Sequence, residues 1–310
     1  ADPPSVDHLN ARGTLCTVGL RHRAEVEEHE RGALFTDTMR KGPYRTFRHT
    51  RRPYCVELAC LTGTIKKYLP QPKNLRKPMR YNDYQQPIGD ALPDYRAGEA
   101  PSVDCLQGRY CRLEKLDAKR HGNDLYEVYG PEAPEPSFTY LSLNPVADRA
   151  ELETLLKHME ESTDPYYLAV IDQAGRAVGT LALMRINPAH RVIEVGSVTY
   201  GERLKRTRAA TEVQYLLAQY VFETLHYRRY EWKCDALNEP SRRAAERLGF
   251  TYEGTFRQAV VYKDRNRDTA WYSMLDTEWE QRKHRLLQWL DPKNFDAHGQ
   301  QRTSLREIAV

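Results

Sequence analysis

Residues 193–212 set a β-rich run, a basic loop and the start of a helix in immediate succession, and this order allows few chain geometries. The run is Ile193-Glu194-Val195-Gly196-Ser197-Val198-Thr199-Tyr200, the loop carries Arg203, Lys205, Arg206 and Arg208, and the helix opens through Ala209-Ala210-Thr211-Glu212. A helix N-terminus presents unpaired amides and about half a positive charge, so it favours a phosphate or pyrophosphate. Ala209 and Ala210 are small enough for a ligand to approach the backbone closely. On charge patterning alone, a helix start with solvated arginines describes the segment equally well.

The flanking sequence supplies the rest of a mixed α/β domain. Residues 109–116 alternate as a strand, and Asp117 caps a predicted helix over 117–129. Asp148 opens a second helix, in which Leu152, Leu155, Leu156 and Met159 recur at helical spacing. Two β-rich runs, 166–171 and 178–186, are joined by a turn at 172–175, and 191–200 continues the meander. The helix beginning near Thr207 is predicted to run to Leu225, with Val213, Leu216, Leu217, Tyr220 and Val221 on one face. A strand over 229–234 precedes a helix capped by Asn238, with Pro240 in its first turn and Gly249 at its end. Strands over 251–262 and 268–275 and an amphipathic helix over 278–290 complete the order β-α-α-β-β-β-α-β-α-β-β.

Asn238-Glu239-Pro240-Ser241 through Gly249-Phe250 and Glu253-Gly254 reads N-x-x-S-x-x-x-x-x-x-x-G-F-x-x-E-G. With Glu194-Val195-Gly196 upstream, this resembles the GNAT superfamily of acetyltransferases, in its RimJ/RimL-like, ribosomal-protein alanine N-acetyltransferase-like branch. The resemblance spans about residues 107–278. It implies the acyl-CoA N-acyltransferase fold, a mostly antiparallel mixed sheet flanked by helices. The expected division is a basic, weakly ordered extension over 1–80, a connector over 81–106, the catalytic domain over 107–278, and a C-terminal helix and tail over 279–310. A departure from the family lies in the phosphate loop. The pyrophosphate motif Q/R-x-x-G-x-G/A falls on residues 205–210, where Ala210 keeps the small residue but Arg208 replaces glycine. An arginine lacks glycine's freedom at positive φ, so an altered loop with direct phosphate contacts from Arg208 is expected.

The resemblance also implies roles. The amides of Arg206, Thr207, Arg208, Ala209, Ala210 and Thr211 hold the pyrophosphate of acetyl-CoA. The strand around Ser197, Val198 and Thr199 parts from its neighbour and pairs with the pantetheine arm, where a backbone N–H polarises the thioester carbonyl. Asn238 contacts pantetheine, besides capping its helix, and Ser241 protonates the leaving thiolate. A family glutamate on the following strand falls on Val260, which cannot serve as a base. Glu194 takes its place as the candidate general base, with Tyr272 behind it. The outward-facing strand residue and the core aromatic are their plain structural readings.

Composition limits the rest. Among 310 residues, 40% are hydrophobic, enough for a substantial core, yet no apolar run approaches the roughly eighteen residues of a membrane span. No secretory leader pattern stands near the start, so a cytoplasmic location is expected. The six cysteines and the histidines lack metal-site spacing, so no metal is expected. Residues 40–80 hold twelve Lys and Arg against one acid, Glu57. This is a solvated arm or a weak contact for nucleic acid or the ribosome. The expected activity is direct acetyl transfer from acetyl-CoA to an amine, on a protein N-terminus or a small molecule. The candidate acceptor loops are 127–143 and 264–268. A catalytically silent CoA-binding regulatory module is the reading from another class.

Overall fold

In the computed structural model, which describes residues 79–308, the strand Tyr166–Asp172 shows how the layers are built. Leu168 and Val170 turn into one apolar layer, and Ala169 and Ile171 turn into a second. Strand side chains alternate between faces, so this pattern requires cover on both sides of the sheet. The strands are β1 (Arg80–Tyr81), β2 (Pro87–Ile88), β3 (Cys105–Gln107), β4 (Cys111–Lys115), β5 (Tyr166–Asp172), β6 (Ala177–Asn187), β7 (Val192–Tyr200), β8 (Arg229–Asp235), β9 (Thr251–Tyr262) and β10 (Arg265–Leu275). Eight of them form one sheet in the order β3-β4-β5-β6-β7-β8-β10-β9, and β1 and β2 pair separately. The basic stretch 40–80 lies almost wholly outside the described residues.

The helices are α1 (Ala118–Tyr129), α2 (Arg149–Glu161), α3 (Arg208–Gln219), α4 (Glu239–Leu248) and α5 (Asp276–Leu290). Asp117 caps α1 by accepting from the Arg120 amide, and Asp148 caps α2 by accepting from the Glu151 amide. Leu125, Val128, Leu152 and Leu156 pack α1 and α2 onto the Ala169 and Ile171 face. The opposite face is covered by α3, α4 and α5 through Val213, Leu217, Leu248, Trp279 and Leu286. Each such buried side chain is worth roughly 1.5–3 kcal/mol of transfer free energy. Gly249 ends α4 at φ 107°, a left-handed conformation that favours glycine.

Three elements differ from the sequence expectation. The helix predicted to reach Leu225 is α-helical only to Gln219 and closes with a π-helical turn over Tyr220–Thr224. The core does not stop at residue 278, because Trp279, Leu286, Trp289, Phe295, Leu305 and Ile308 belong to the same apolar cluster as α3. The connector 81–106 supplies β3 at the sheet edge and is tied to the β6–β7 turn by the Gly98 amide, which donates to Pro188 O at 2.9 Å.

The feature that positions a site lies between β7 and β8, the one parallel pair in the sheet. Their register runs from Val192↔Arg229 to Val195↔Trp232 and ends there, although β7 continues to Tyr200 and β8 to Asp235. On its other side β7 pairs with β6 through a register shift, in which Thr180–Ala182 faces the longer interval Gly196–Thr199. Ser197 sits in this bulge at φ 49°. An extra residue in one strand bends it and increases its twist, which carries β7 away from β8. Gly196 leaves room for the Met184 side chain, which would have to shift if a Cβ were added there.

Candidate active site

Beyond the end of β7, the loop 201–207 is anchored by buried Leu204 and delivers the chain to the N-terminus of α3. The amides of Leu204 and Lys205 both donate to Gly201 O, at 3.0 and 3.2 Å. Thr207 caps the helix by accepting from the Ala210 amide at 3.1 Å, and its hydroxyl donates to Leu204 O at 2.7 Å. The first-turn amides of Arg208 and Ala209 have no carbonyl four residues back within α3, which leaves them for an anion. The loop's positive φ, 61°, falls at Arg206, and Arg208 is the first residue of the helix. The arginine in the glycine position therefore needs no glycine-like backbone. Its side chain does not turn to the loop either. The guanidinium lies over the Phe295 and Tyr110 rings, 4.5 and 5.0 Å from their centroids.

Glu212, one turn further along α3, went unread in the sequence as anything but a helix residue. Its buried carboxylate accepts from the amides of Arg109, Tyr110 and Cys111 at 2.9, 2.6 and 3.0 Å. The β3–β4 turn thereby fixes α3 and the loop it caps. Burial, with the Glu212 carboxylate beside it, pushes the Cys111 thiol well above its usual range, so this cysteine is an inert core group.

Across the opening, Asn238 Oδ1 accepts from the Ser241 amide at 3.1 Å, and Ser241 Oγ accepts from Trp232 Nε1 at 3.0 Å. Ser241 is half-buried at the start of α4, beside the last residues of β8. Tyr272 is fully buried on the same sheet face as Trp232, its register partner. Its hydroxyl accepts from Arg242 Nε at 3.2 Å, and burial raises the phenol above its ordinary range.

Glu194 projects to the opposite face. Residues 229, 231 and 233 of β8 alternate onto that face, where they and Glu194 build a chain of ions. Arg185 Nη1 donates to both oxygens of Glu194 at 2.8 Å, and Lys233 Nζ bridges Glu194 and Glu231 at 2.8 and 2.7 Å. Arg229 joins Glu231 at 2.6 Å and grips Glu253 with two nitrogens at 2.8 and 2.5 Å. The Ser273 hydroxyl donates to Glu253 at 2.6 Å. The Arg229 guanidinium holds the Glu253 carboxyl down at about 2. The structure thus brings Asn238 and Ser241 together on one side of the opening and places Glu194, only 2% exposed, on the other. Tyr272 is not joined to Glu194.

Asp235, the last residue of β8, is a further buried carboxylate at the opening. It accepts from the Leu237 amide and from the Tyr262 hydroxyl, both at 2.8 Å. Burial and this carboxylate push the Tyr262 phenol up to about 12. The two expected acceptor loops meet beside it. Lys263 Nζ donates to Phe138 O at 2.8 Å and Arg265 Nη2 to Thr139 O at 2.6 Å. The same loop reaches Leu237 O through the Tyr140 hydroxyl, at 3.1 Å, and Ser137 Oγ accepts from Lys205 Nζ at 2.7 Å. It therefore spans from the phosphate loop to the β9–β10 turn, next to a cleft of about 500 Å³ lined by Pro131, Phe138, Val146 and Lys263. Among the described residues, no cluster of His, Cys, Asp or Glu is arranged to hold a metal ion, and no helix is long and apolar enough to cross a membrane.

Comparison with known proteins gives this geometry a family. The acetyltransferase (GNAT) domain family matches residues 112–251. A GCN5-related N-acetyltransferase from Brucella melitensis is 50% identical, with a TM-score of 0.68, over 70% of this chain and 98% of that one. A GNAT-family structure from Chromobacterium violaceum is 37% identical, with a TM-score of 0.59, over 63% of this chain and 98% of that one. The candidate ribosomal N-acetyltransferase YdaF of Bacillus subtilis is 29% identical over 106 residues, which make up 34% of this chain and only 57% of that relative. Parted parallel strands, a bulged β7, a loop leading to the N-terminus of α3 and an N-x-x-S helix across the opening are thus those of an acetyltransferase fold, and the chain belongs to the GNAT family.

Proposed function

We propose that the protein transfers an acetyl group from acetyl-CoA directly to an amine, without a covalent enzyme intermediate. The carrying observation is the end of the β7–β8 register at Val195↔Trp232 beside the capped N-terminus of α3. An opening of this kind suits an extended thioester arm with a pyrophosphate at one end. In this reading, the amides of Arg206, Arg208 and Ala209 hold the pyrophosphate, those of Thr207 and Ala210 being taken by Leu204 O and Thr207 Oγ1, and the backbone of Ser197, Val198 and Thr199 takes the pantetheine arm and polarises the thioester carbonyl. Asn238 contacts the arm through its amide nitrogen while its oxygen caps α4. Ser241 returns a proton to the thiolate.

The proton lost by the amine is assigned to water held near Glu194. Both Glu194 oxygens already meet cations, so direct proton uptake would displace Arg185 or Lys233. Tyr272 is proposed as a support for α4 through Arg242. The likeness to a candidate ribosomal N-acetyltransferase favours a protein N-terminal amine as acceptor over a small molecule. A cytoplasmic location is part of the proposal. The stretch 40–80 is proposed to be dispensable for acyl transfer.

Thiol release from acetyl-CoA against a panel of N-terminal peptides and small amines tests this directly. Turnover with peptides is expected, and binding without turnover across the panel would mark a silent CoA-binding module instead. Glu194→Gln should lower kcat/KM most at low pH, where free amine is scarce, and an unchanged pH profile would remove Glu194 from the mechanism. Salt-sensitive RNA binding that disappears on removing residues 1–78 would support a docking role for the basic stretch.

A further inference from the structure

Past the last pair of the β7–β8 register, the opening is bordered by a buried carboxylate that meets no cation. Three residues beyond Val195↔Trp232 stand Val198 on β7 and Asp235 on β8. Asp235 is 4% exposed and alternates onto the face that carries Glu231 and Lys233. On that face Glu194, Glu231 and Glu253 each grip a lysine or an arginine. Among the described residues, Asp235 accepts only from neutral donors, the Leu237 amide and the Tyr262 hydroxyl. A carboxylate can take about four donors, so capacity remains. Burying such a group without an opposite charge is costly, and a cation brought by a ligand would offset that cost.

Strand β10 supplies the other half of the place. Thr269 is the register partner of Asp235, and cross-strand neighbours on one face set their Cβ atoms about 5 Å apart. Thr269 is 5% exposed, and its hydroxyl has no hydrogen-bond partner. Two residues to either side of it, Arg267 Nε and Trp271 Nε1 are also buried without an acceptor. The Trp271 ring is closed off by Phe256, stacked at 4.4 Å, and by Lys233 Nζ at 3.8 Å. The Arg267 guanidinium lies 5.9 Å from the centroid of the Tyr262 ring, beside the turn where Lys263 and Arg265 meet Phe138 and Thr139. Asp235 and Thr269 together suit a positive group with several N–H donors, which is an ammonium. Arg267 Nε only donates, and suits a carbonyl oxygen next to it. The first residue of a peptide carries both, its α-ammonium and its carbonyl being separated by one carbon. A polyamine or a simple alkylamine carries the first alone.

We propose that Asp235 and Thr269 seat the α-ammonium of the acceptor and that Arg267 binds the carbonyl of the same residue, so that the site selects an α-amino acyl group. The assignment rests on the reading that the parted strands hold acetyl-CoA, since Val198, level with Asp235, belongs to the stretch assigned to the thioester arm. The proton then leaves through the water near Glu194.

The test is an NMR titration of the CoA-loaded full chain with three probes: alaninamide, lactamide, in which a hydroxyl replaces the ammonium, and ethylammonium, which lacks the carbonyl. Alaninamide should bind saturably, lactamide about tenfold or more weaker, and ethylammonium about threefold or more weaker. Asp235→Asn should weaken alaninamide by about tenfold or more. Arg267→Met should cut the preference for alaninamide over ethylammonium to less than about twofold. Thr269→Val exchanges a hydroxyl for a methyl; it should weaken alaninamide by about threefold, and it carries the test if Asp235→Asn does not fold. Tyr262→Phe removes a donor to Asp235 but leaves the charge, so alaninamide affinity should change by less than about twofold. A loss there as large as in Asp235→Asn would make Asp235 an anchor for Tyr262 and overturn the proposal. Equal affinity for alaninamide and lactamide, undiminished binding in the Asp235 and Thr269 variants, or CoA binding without alaninamide binding overturns the seat and leaves the acyl-CoA reading standing. Failure of the chain to bind CoA overturns both.

Discussion

Replacing Lys233 by methionine isolates the charge that joins the two sides of the ionic chain. The Lys233 side chain is 6% exposed, with Nζ 2.8 Å from Glu194, 2.7 Å from Glu231 and 3.8 Å from the centroid of the Trp271 ring. At an effective dielectric constant near 20, each contact is worth about 6 kcal/mol of Coulomb energy. Desolvation of the ammonium removes several kcal/mol of that total. Arg185 and Arg229 stay behind to share the two carboxylates, while the cation–π contact of Lys233 with Trp271 is lost. The expected net loss is about 3 kcal/mol, at the lower end for breaking a buried pair. Urea unfolding followed by circular dichroism measures it. Glu231→Gln added to Lys233→Met should recover about 1 kcal/mol, because one of the two carboxylates left facing each other across β7 and β8 is then neutral. A loss below about 1 kcal/mol for Lys233→Met, or simple additivity in the double variant, would refute the claim that this lysine holds the two strands' carboxylates together.

Ser241→Ala should lower kcat by roughly a hundredfold or more while leaving the acetyl-CoA dissociation constant almost unchanged. Its stability cost should stay near 1 kcal/mol, for the loss of the Trp232 Nε1 bond; a weaker Kd with an intact kcat would assign Ser241 to binding instead. Glu253→Gln should destabilise the protein by about 1 kcal/mol at neutral pH, a modest figure because the carboxylate is partly solvent-screened. The folded-state pKa of Glu253, about 2, lies below its ordinary value of 4.5. Its contribution is therefore complete above the ordinary value and vanishes as pH falls through about 2. Acid unfolding curves of parent and variant should converge towards that pH, and a constant gap would show that the Arg229–Glu253 pair is not its source.

Most of the architecture was legible because its signals are local. Asp117, Asp148, Thr207 and Asn238 each sit at a helix start and cap it, and Gly249 ends α4 in the conformation its chemistry favours. The parting of β7 and β8 was expected from the family resemblance, and the register ends where the motif placed it. Long-range partners were not legible. Nothing local in Glu212 points to three amides about a hundred residues upstream in the chain, and nothing in Glu194 announces Arg185 on one side and Lys233 on the other. The backbone at Arg208 was misjudged for a related reason. The motif assigns glycine's conformation to a position, whereas this loop makes its left-handed step earlier, at Arg206. Likewise, the sequence set 279–310 apart from the catalytic domain as a C-terminal helix and tail, since helical periodicity shows an apolar face but not which core receives it.

The central claim, that the opening between β7 and β8 receives acetyl-CoA, is tested most directly by calorimetric titration of the folded chain with that ligand. Saturable binding at one site per chain is expected, with a melting temperature that rises with ligand concentration, since the ligand binds only the folded state. Absence of binding heat at high protein concentration, together with an unmoved melting temperature, would contradict it.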